Sequence, residues 1–159
     1  LSSPGLPPIG IYLALLTYPL TSEENEHLIS CLRLPKSLAQ TLRDTTSIKG
    51  KLQSLANPEL PPSSIYCLLY GYTSPAITAN WLACDSPVAR QHIRLFLNKL
   101  RYIKPTLNGN DLIRMGVAPG PNIKEILNLL HKARLDGKVT SKRGEEELVK
   151  GWGRKTKWN

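Results

Sequence analysis

The sequence lacks long apolar runs and has few cysteines. No apolar stretch among its 159 residues approaches the ~20 residues of a membrane span. The apolar residues 9–16 also lack the basic segment of a signal peptide. Cys31, Cys67 and Cys84 are odd in number and far apart, which favours buried thiols over disulfides or metal ligands. We therefore expect a cytoplasmic protein without a membrane partner.

The chain also lacks an initiator methionine and any sign of β structure. Met115 is the only methionine, so we expect a piece of a longer protein, with residues 1–8, rich in Pro and Ser, as a linker from an upstream domain. Alternation at period two is missing, whereas helix caps recur along the sequence. This predicts an all-α fold of short helical hairpins, with a helical body at residues 9–104 and a basic helical tail at residues 105–159.

Prolines and capping residues mark where helices begin. Pro35 predicts a helix from Lys36 to about Ala56, in which Gly50 is a weak point. Ser74–Pro75 and Ser86–Pro87 each place a serine at the cap and a proline at the first helical position. The helices expected from these two signals are Ala76–Ala83 and Val88–Ile103.

Positive charge is concentrated in the second half of the sequence. Residues 1–86 hold five basic and six acidic side chains, whereas residues 87–159 hold sixteen basic and six acidic ones. This asymmetry is typical of a polyanion-binding face. A solvated surface without a partner is the alternative.

Two groups of cations are candidate RNA-binding residues. In a single helix Arg90, Arg94 and Arg101 would share one face within about 40°, with Lys104 extending the row. Such a row can follow a phosphate backbone, although a solvated helix face has the same pattern. Six further cations cluster around the next helix and its turn: Lys124, Lys132, Arg134, Lys138, Lys142 and Arg143. Beyond them, Trp152 and Trp158 are interleaved with cations in a C-terminal segment that could stack on bases or sugars while it neutralises phosphate. Packing of Trp152 on the last helix, with a loose basic end, is the alternative that we favour for this residue.

Residues 105–140 predict two helices joined by a glycine-rich turn. Asn108 and Asp111 match a capping box that opens a short helix. Two glycines then provide unusual backbone angles, and a proline presets the first turn of a helix that runs to about Asp136. The residues of this structural turn are Gly109, Asp111, Gly116, Pro119, Gly120 and Pro121. The arrangement resembles a helix-hairpin-helix, in which the N–H groups of Asn122, Ile123 and Lys124 could meet a phosphate. The glycines could equally serve only to turn the chain.

The same segment carries a family resemblance. Its matching runs are Leu107-x-Gly109-x-Asp111-Leu112, Gly116-x-x-Pro119-Gly120-Pro121, Ile126-Leu127 and Leu135-Asp136-Gly137-Lys138-Val139-Thr140. Together they resemble the C-terminal segment of bacterial class II tRNA nucleotidyltransferases and poly(A) polymerases. The close match lies within residues 105–152, and the preceding helices fit the family's body loosely.

The resemblance implies an all-helical body and tail that bind tRNA. An N-terminal head of the same polypeptide would perform nucleotide addition, with Mg²⁺ and with ATP and CTP as substrates of the full-length enzyme. This chain contains no Asp-x-Asp pair of the kind that holds Mg²⁺ in that head. We therefore assign no catalytic residue, metal ligand or cofactor to this chain and expect it to be inactive alone. A helical protein-interaction module and a helix-hairpin-helix DNA-binding domain are the alternatives.

Overall fold

The computed structural model describes residues 8–155, which form two compact units. These residues contain ten α-helices and one 3-10 helix but no strand, so the all-α prediction is confirmed. The first unit comprises Leu1–Leu60 and Ser64–Asn98, and the second comprises Pro61–Ser63 and Lys99–Asn159. No helix in the described part of the chain is long and apolar enough to cross a membrane. Except for Pro8, the predicted linker lies outside the described residues, and the predicted division after residue 104 stays a prediction.

The first unit is a set of short helices. Its helices are α1 (Ile9–Leu16), α2 (Ser22–Leu32), α3 (Lys36–Lys49), α4 (Leu52–Leu55), α5 (Pro62–Leu69), α6 (Ser74–Ala83) and α7 (Pro87–Asn98), and the first two residues of α5 belong to the second unit. Helix α6 packs against both α1 and α3. Small buried residues, Ala14 on α1, Ala39 on α3 and Ala79 on α6, allow these helices to approach closely around Leu42 and Ile29.

Two buried polar side chains connect these helices. Asn80 on α6 is fully buried, donates to the carbonyl of Thr45 at 3.2 Å and accepts from the hydroxyl of Tyr18 at 3.1 Å. Asp44 on α3 accepts from the backbone N–H of Thr73 at 2.8 Å, immediately before α6 begins. Because a buried polar group without a partner is costly, these bonds restrict how the three helices can pack.

Three sequence expectations about this unit are corrected. The helix expected over residues 36–56 ends at Lys49 and restarts at Leu52, because Gly50 is the poor helix former in its middle. Helix α6 begins at Ser74 after an N-cap at Thr73, one residue earlier than the predicted cap. Cys31 and Cys67 are exposed, and only Cys84 is buried. Cys31 follows the buried Ile29 by two residues, about 200° around α2, which turns it away from the core.

The second unit contains a 3-10 helix and three α-helices. They are the 3-10 helix Leu100–Tyr102, α8 (Gly109–Arg114), α9 (Pro121–Leu135) and α10 (Lys142–Lys155). Their apolar core consists of Leu107, Leu112, Val117, Ile126, Leu130 and Val149. Burial of each such leucine contributes about 1.5–3 kcal/mol. Trp152, which was predicted to pack on the last helix, is itself part of α10 and packs against this cluster. Trp158 lies outside the described residues.

The single helix expected over residues 88–103 is wrong. Helix α7 ends at Asn98, and the chain continues through Lys99, with φ −135°, into the 3-10 helix. The φ of Lys99 lies outside the α-helical region, so the α-helix stops at Asn98, seven residues before Pro105. Tighter 3-10 bonds replace the α-helical ones, as in the bond from Ile103 N to Leu100 O at 3.1 Å.

Candidate nucleic-acid interface

The predicted capping box at the start of α8 is present. Asn108 Oδ1 accepts from the backbone N–H of Asp111, and Asp111 Oδ2 accepts from the backbone N–H of Asn108, both at 3.0 Å. These reciprocal bonds satisfy two backbone donors that a helix start otherwise leaves without partners. Asp111 is thereby assigned a structural role at the beginning of the turn.

The glycines between α8 and α9 have the predicted backbone angles. Gly116 has φ +95° and Gly120 has φ +146°. L-residues with a side chain rarely adopt these backbone angles. Gly109 contributes to the packing of the turn in a different way. A Cβ atom at Gly109 would lie 3.3 Å from Cγ2 of Ile123, so the absence of a side chain lets the start of α8 approach α9. Pro121 opens α9 as expected.

One of the three N–H groups predicted to face a phosphate is engaged within the turn. The backbone N–H of Ile123 donates to the carbonyl of Gly120 at 3.1 Å. The side chain of Lys124 is exposed, and that of Asn122 is half-buried. Phosphate binding by Asn122 and Lys124, and the likeness of the turn to a helix-hairpin-helix, remain predictions.

The structural centre of the second unit is Glu145, which the sequence did not single out. Its side chain is fully buried near the start of α10. The carboxylate accepts from the backbone N–H of Thr106 at 3.0 Å and from that of Leu107 at 2.9 Å. It also pairs with the guanidinium of Arg134, which in turn donates to Oγ1 of Thr106 at 2.6 Å. This network joins α9, α10 and the segment before α8.

The environment of Glu145 stabilises its charged form. Burial by itself raises the pKa of the carboxyl, because a charge is poorly solvated in the interior. The hydrogen bonds from Thr106, Leu107 and Arg134, together with the positive charge of Arg134, outweigh burial and hold the pKa of Glu145 below its usual value. Glu145 is therefore an ionised structural anchor.

Two further bonds fix segments to the C-terminal part of α9. His131 Nε2 donates to the carbonyl of Ile103 at 2.8 Å. Asp136, immediately after α9, accepts from the backbone N–H and the hydroxyl of Ser63 at 2.8 and 2.9 Å. Because both Ile103 and Thr106 are bonded to α9, Lys104 between them lies beside the last turns of that helix.

The cations predicted to bind RNA fall into separate groups. Lys132 lies on α9 and Lys142 opens α10, so both belong to the elements that meet at Glu145, with Lys104 on the third such segment. Lys124 lies at the other end of α9, about 15 Å along the axis from Arg134 at 1.5 Å per residue.

Most of the predicted cations in the second unit are exposed. Their exposed members are Lys104, Lys124, Lys132, Lys138, Lys142 and Arg143. Arg143 is 3.4 Å from Glu147, whereas within residues 8–155 the ammonium groups of Lys104, Lys124 and Lys132 form no ion pair. By sequence the second unit holds fourteen basic and six acidic side chains, a balance of +8, out of +9 for the whole chain. Unpaired cations at the surface are the groups that neutralise a polyanion.

The predicted row of Arg90, Arg94, Arg101 and Lys104 is not a single helix face. Arg90 and Arg94 lie on α7 in the first unit, and the other two residues lie in the second unit. Arg90 donates to the carbonyl of Cys84, the C-cap of α6, at 2.7 Å. The continuous phosphate-binding ladder is therefore wrong, because it depended on an α-helix that ends at Asn98. RNA binding by the individual residues stays a prediction.

The described residues contain no cluster of metal-binding side chains. Within residues 8–155, no three His, Cys, Asp or Glu side chains are grouped closely enough to hold a metal ion. We assign no step of nucleotide transfer to this chain.

Comparison with curated proteins finds a similarity to an A-adding tRNA nucleotidyltransferase from Geobacter sulfurreducens. The two sequences are 30% identical over 87 residues, which are 55% of this chain and 10% of that protein. The similarity supports a relationship to that enzyme family. The chain spans about a tenth of the length of this relative. No protein-family profile matches the chain, and no solved structure matches it.

The spacing of apolar residues in the sequence indicates that Glu145 lies on the buried face of α10. Val149 and Trp152 follow Glu145 at four and seven residues and share its helix face. Val149 is buried and Trp152 packs against the core, so the position of Glu145 on the apolar face of α10 was readable. A carboxylate there requires a buried partner, but the partner could not be identified from the pattern.

Proposed function

We propose that this chain is the RNA-binding C-terminal region of a tRNA nucleotidyltransferase or poly(A) polymerase. It positions tRNA, by contacts with phosphates and with the shape of the RNA, for nucleotide addition at the 3′ end by a catalytic head of the same cytoplasmic polypeptide. ATP, CTP and Mg²⁺ belong to that head in this proposal. The Gly116–Gly120 turn adds a helix-hairpin-helix-like phosphate contact through Lys124.

The exposed cations of the second unit carry the proposal. A balance of +8 within one small unit gives a surface potential that attracts polyanions. The Glu145–Arg134 network fixes the backbone on which Lys104, Lys132 and Lys142 stand. Backbone that is ordered before binding loses less conformational entropy when it binds. The similarity to an A-adding tRNA nucleotidyltransferase makes tRNA the polyanion we favour.

A salt titration tests the proposal. The chain should bind tRNA, and log K should fall linearly with log salt, with a slope of about −0.7 to −0.9 per phosphate neutralised. Replacing Lys104, Lys132 and Lys142 together by alanine should weaken binding and reduce that slope. Lys36→Ala, which removes one exposed lysine of the first unit, is a control for loss of a surface lysine outside the second unit and should leave the slope unchanged.

A protein-interaction module is the second candidate, because α1 has an exposed apolar face. Ile9, Tyr12 and Leu16 lie at i, i+3 and i+7 and are largely exposed. Weak tRNA binding that does not change with salt would favour this candidate over the first. Preference for duplex DNA over tRNA in the same titration would instead favour a helix-hairpin-helix DNA-binding domain.

A further inference from the structure

Tyr102 is an exposed aromatic residue supported by a neighbouring guanidinium. The residue is 65% exposed. Cζ of Arg101 lies 4.8 Å from the centroid of its ring, and Nη2 of Arg101 donates to its hydroxyl at 2.6 Å. Arg101 is itself half-buried, so these two contacts tie the ring to an anchored cation, while most of Tyr102 stays open to solvent.

The backbone around Tyr102 is also fixed. The N–H of Tyr102 donates to the carbonyl of Lys99 at 3.1 Å, within the 3-10 helix. One residue later, the carbonyl of Ile103 accepts from His131 on α9 at 2.8 Å. The ring is thus attached to a segment that is bonded on both sides. A rigid exposed aromatic side chain gives contact area at low entropic cost.

The residues next to Tyr102 in the sequence carry positive charge, which favours an anionic ligand. Lys99 and Lys104 are exposed on either side along the chain, and residues 99–110 contain no Asp or Glu. A cationic side chain of a protein partner would be repelled from this site. A nucleotide has both complementary parts, since its base is planar and apolar on its faces and its phosphate is anionic.

We infer that Tyr102 stacks on an unpaired base of bound RNA, with Lys99 and Lys104 close to the flanking phosphates. This inference rests on the proposed function and deepens it. It adds a site for single-stranded RNA to the contacts with the backbone of folded tRNA. Stacking on an aromatic ring tolerates any base, so the site should bind unpaired RNA with little sequence preference.

The test uses the full chain and two RNA probes. One is a ten-nucleotide oligo(A) strand, and the other is a blunt-ended RNA hairpin whose stem is closed by a stable tetraloop. Tyr102→Ala should lower oligo(A) affinity by about 5- to 150-fold, the range for loss of one stacked base. Affinity for the hairpin should stay within twofold of wild type. Tyr102→Phe keeps the ring and should retain most of the oligo(A) affinity.

Tyr12→Ala is the matched control, because Tyr12 is 52% exposed and lies in the first unit. It should bind both probes as the wild type does. A second readout is the fluorescence of 2-aminopurine placed in the oligo(A) strand, which should be quenched on binding to wild type and less so on binding to Tyr102→Ala at saturating protein. Thermal melts of each variant verify that it is folded.

The outcomes separate this inference from the proposed function. If the wild type binds tRNA with strong salt dependence but Tyr102→Ala binds oligo(A) equally well, stacking at Tyr102 is excluded and the proposed function stands. Equal losses for oligo(A) and hairpin, or an equal loss in Tyr12→Ala, also overturn the stacking site. A wild-type chain that binds neither tRNA nor oligo(A) at low salt overturns both.

Discussion

The guanidinium of Arg134 pairs with the buried carboxylate of Glu145, across α9 and α10. Arg134 was predicted to bind RNA, yet two of its nitrogens are used inside the unit, one by Glu145 and one by the hydroxyl of Thr106. The side chain of Arg134 is only 19% exposed. Its first role is therefore to neutralise Glu145, and the exposed lysines are better placed to meet phosphates.

Glu145→Gln should strongly destabilise the second unit. Glutamine retains an acceptor for the amides of Thr106 and Leu107, but it leaves Arg134 without its negative partner. Breaking a largely buried pair from one side costs about 3 kcal/mol or more. Urea unfolding at pH 7 measures the change. The control is Glu147→Gln, since Glu147 is 69% exposed in its pair with Arg143, and it should change stability by less than ~0.5 kcal/mol.

The same pair predicts an acid-sensitive stability. The pKa of Glu145 is lowered in the folded state, so the folded state binds its proton less tightly than the unfolded state. Its contribution is full above the unfolded pKa of about 4.3 and is lost as the pH falls through the lower folded pKa. The stability difference between wild type and Glu145→Gln should therefore shrink below about pH 4.3. A constant difference from pH 7 to pH 3 would contradict this account.

Local signals in the sequence predicted much of the fold. The capping box of Asn108 and Asp111, the positive φ of Gly116 and Gly120, and the proline that opens α9 all depend on residues a few positions apart. Helix caps and special backbone angles can be predicted from the sequence because they depend on residues within one or two helical turns. The helical period of the apolar residues likewise supported the all-α prediction.

Long-range contacts explain what the sequence did not reveal. Glu145 and Thr106 are 39 residues apart, and no periodic pattern connects them. The early end of α7 also misled the prediction, because Arg90, Arg94 and Arg101 have helical spacing although the helix does not reach Arg101. Helical spacing between residues places them on one helix face only where a single helix contains all of them. For the same reason Tyr102 did not emerge from the sequence, since its exposure depends on the 3-10 helix.

Gly120→Val should destabilise the turn before α9. Gly120 has φ +146° and ψ −161°, a region that is essentially restricted to glycine, so a branched side chain is expected to cost about 1–3 kcal/mol. Thermal melting measures the loss. Gly151→Ala is the control, because Gly151 lies within α10 with no positive φ and no atom within 4 Å of an added Cβ. It should stabilise the chain slightly, by about 0.5–1 kcal/mol.

The chain alone should not extend tRNA. It contains no Asp-x-Asp pair, the arrangement expected in the head to hold the Mg²⁺ that nucleotidyl transfer requires. Incubation with Mg²⁺, ATP, CTP and a tRNA that lacks its 3′ end should give no longer product on a denaturing gel. A preparation of the related full-length A-adding enzyme serves as the positive control. Extension of the tRNA by a rigorously purified sample of this chain would contradict the proposal that the chain binds tRNA and a separate head adds the nucleotides.

Lys124→Ala should separate a phosphate contact from a structural turn. Lys124 is exposed in the first turn of α9, so its truncation should change stability by less than ~0.5 kcal/mol and leave the melting temperature within a few degrees of wild type. If the turn holds a phosphate, tRNA affinity should fall and the salt slope should decrease by about one phosphate.

The control for Lys124→Ala is Lys36→Ala, which removes another exposed lysine, from the first turn of α3. Both variants lose one positive charge, so any general effect of net charge on the encounter with tRNA is shared between them. A loss of affinity specific to Lys124→Ala therefore reports a local contact. Should the two variants bind tRNA alike at every salt concentration, Lys124 makes no phosphate contact of energetic importance. Gly116 and Gly120 would then serve only to turn the chain between α8 and α9, where Gly109 lies close to Ile123.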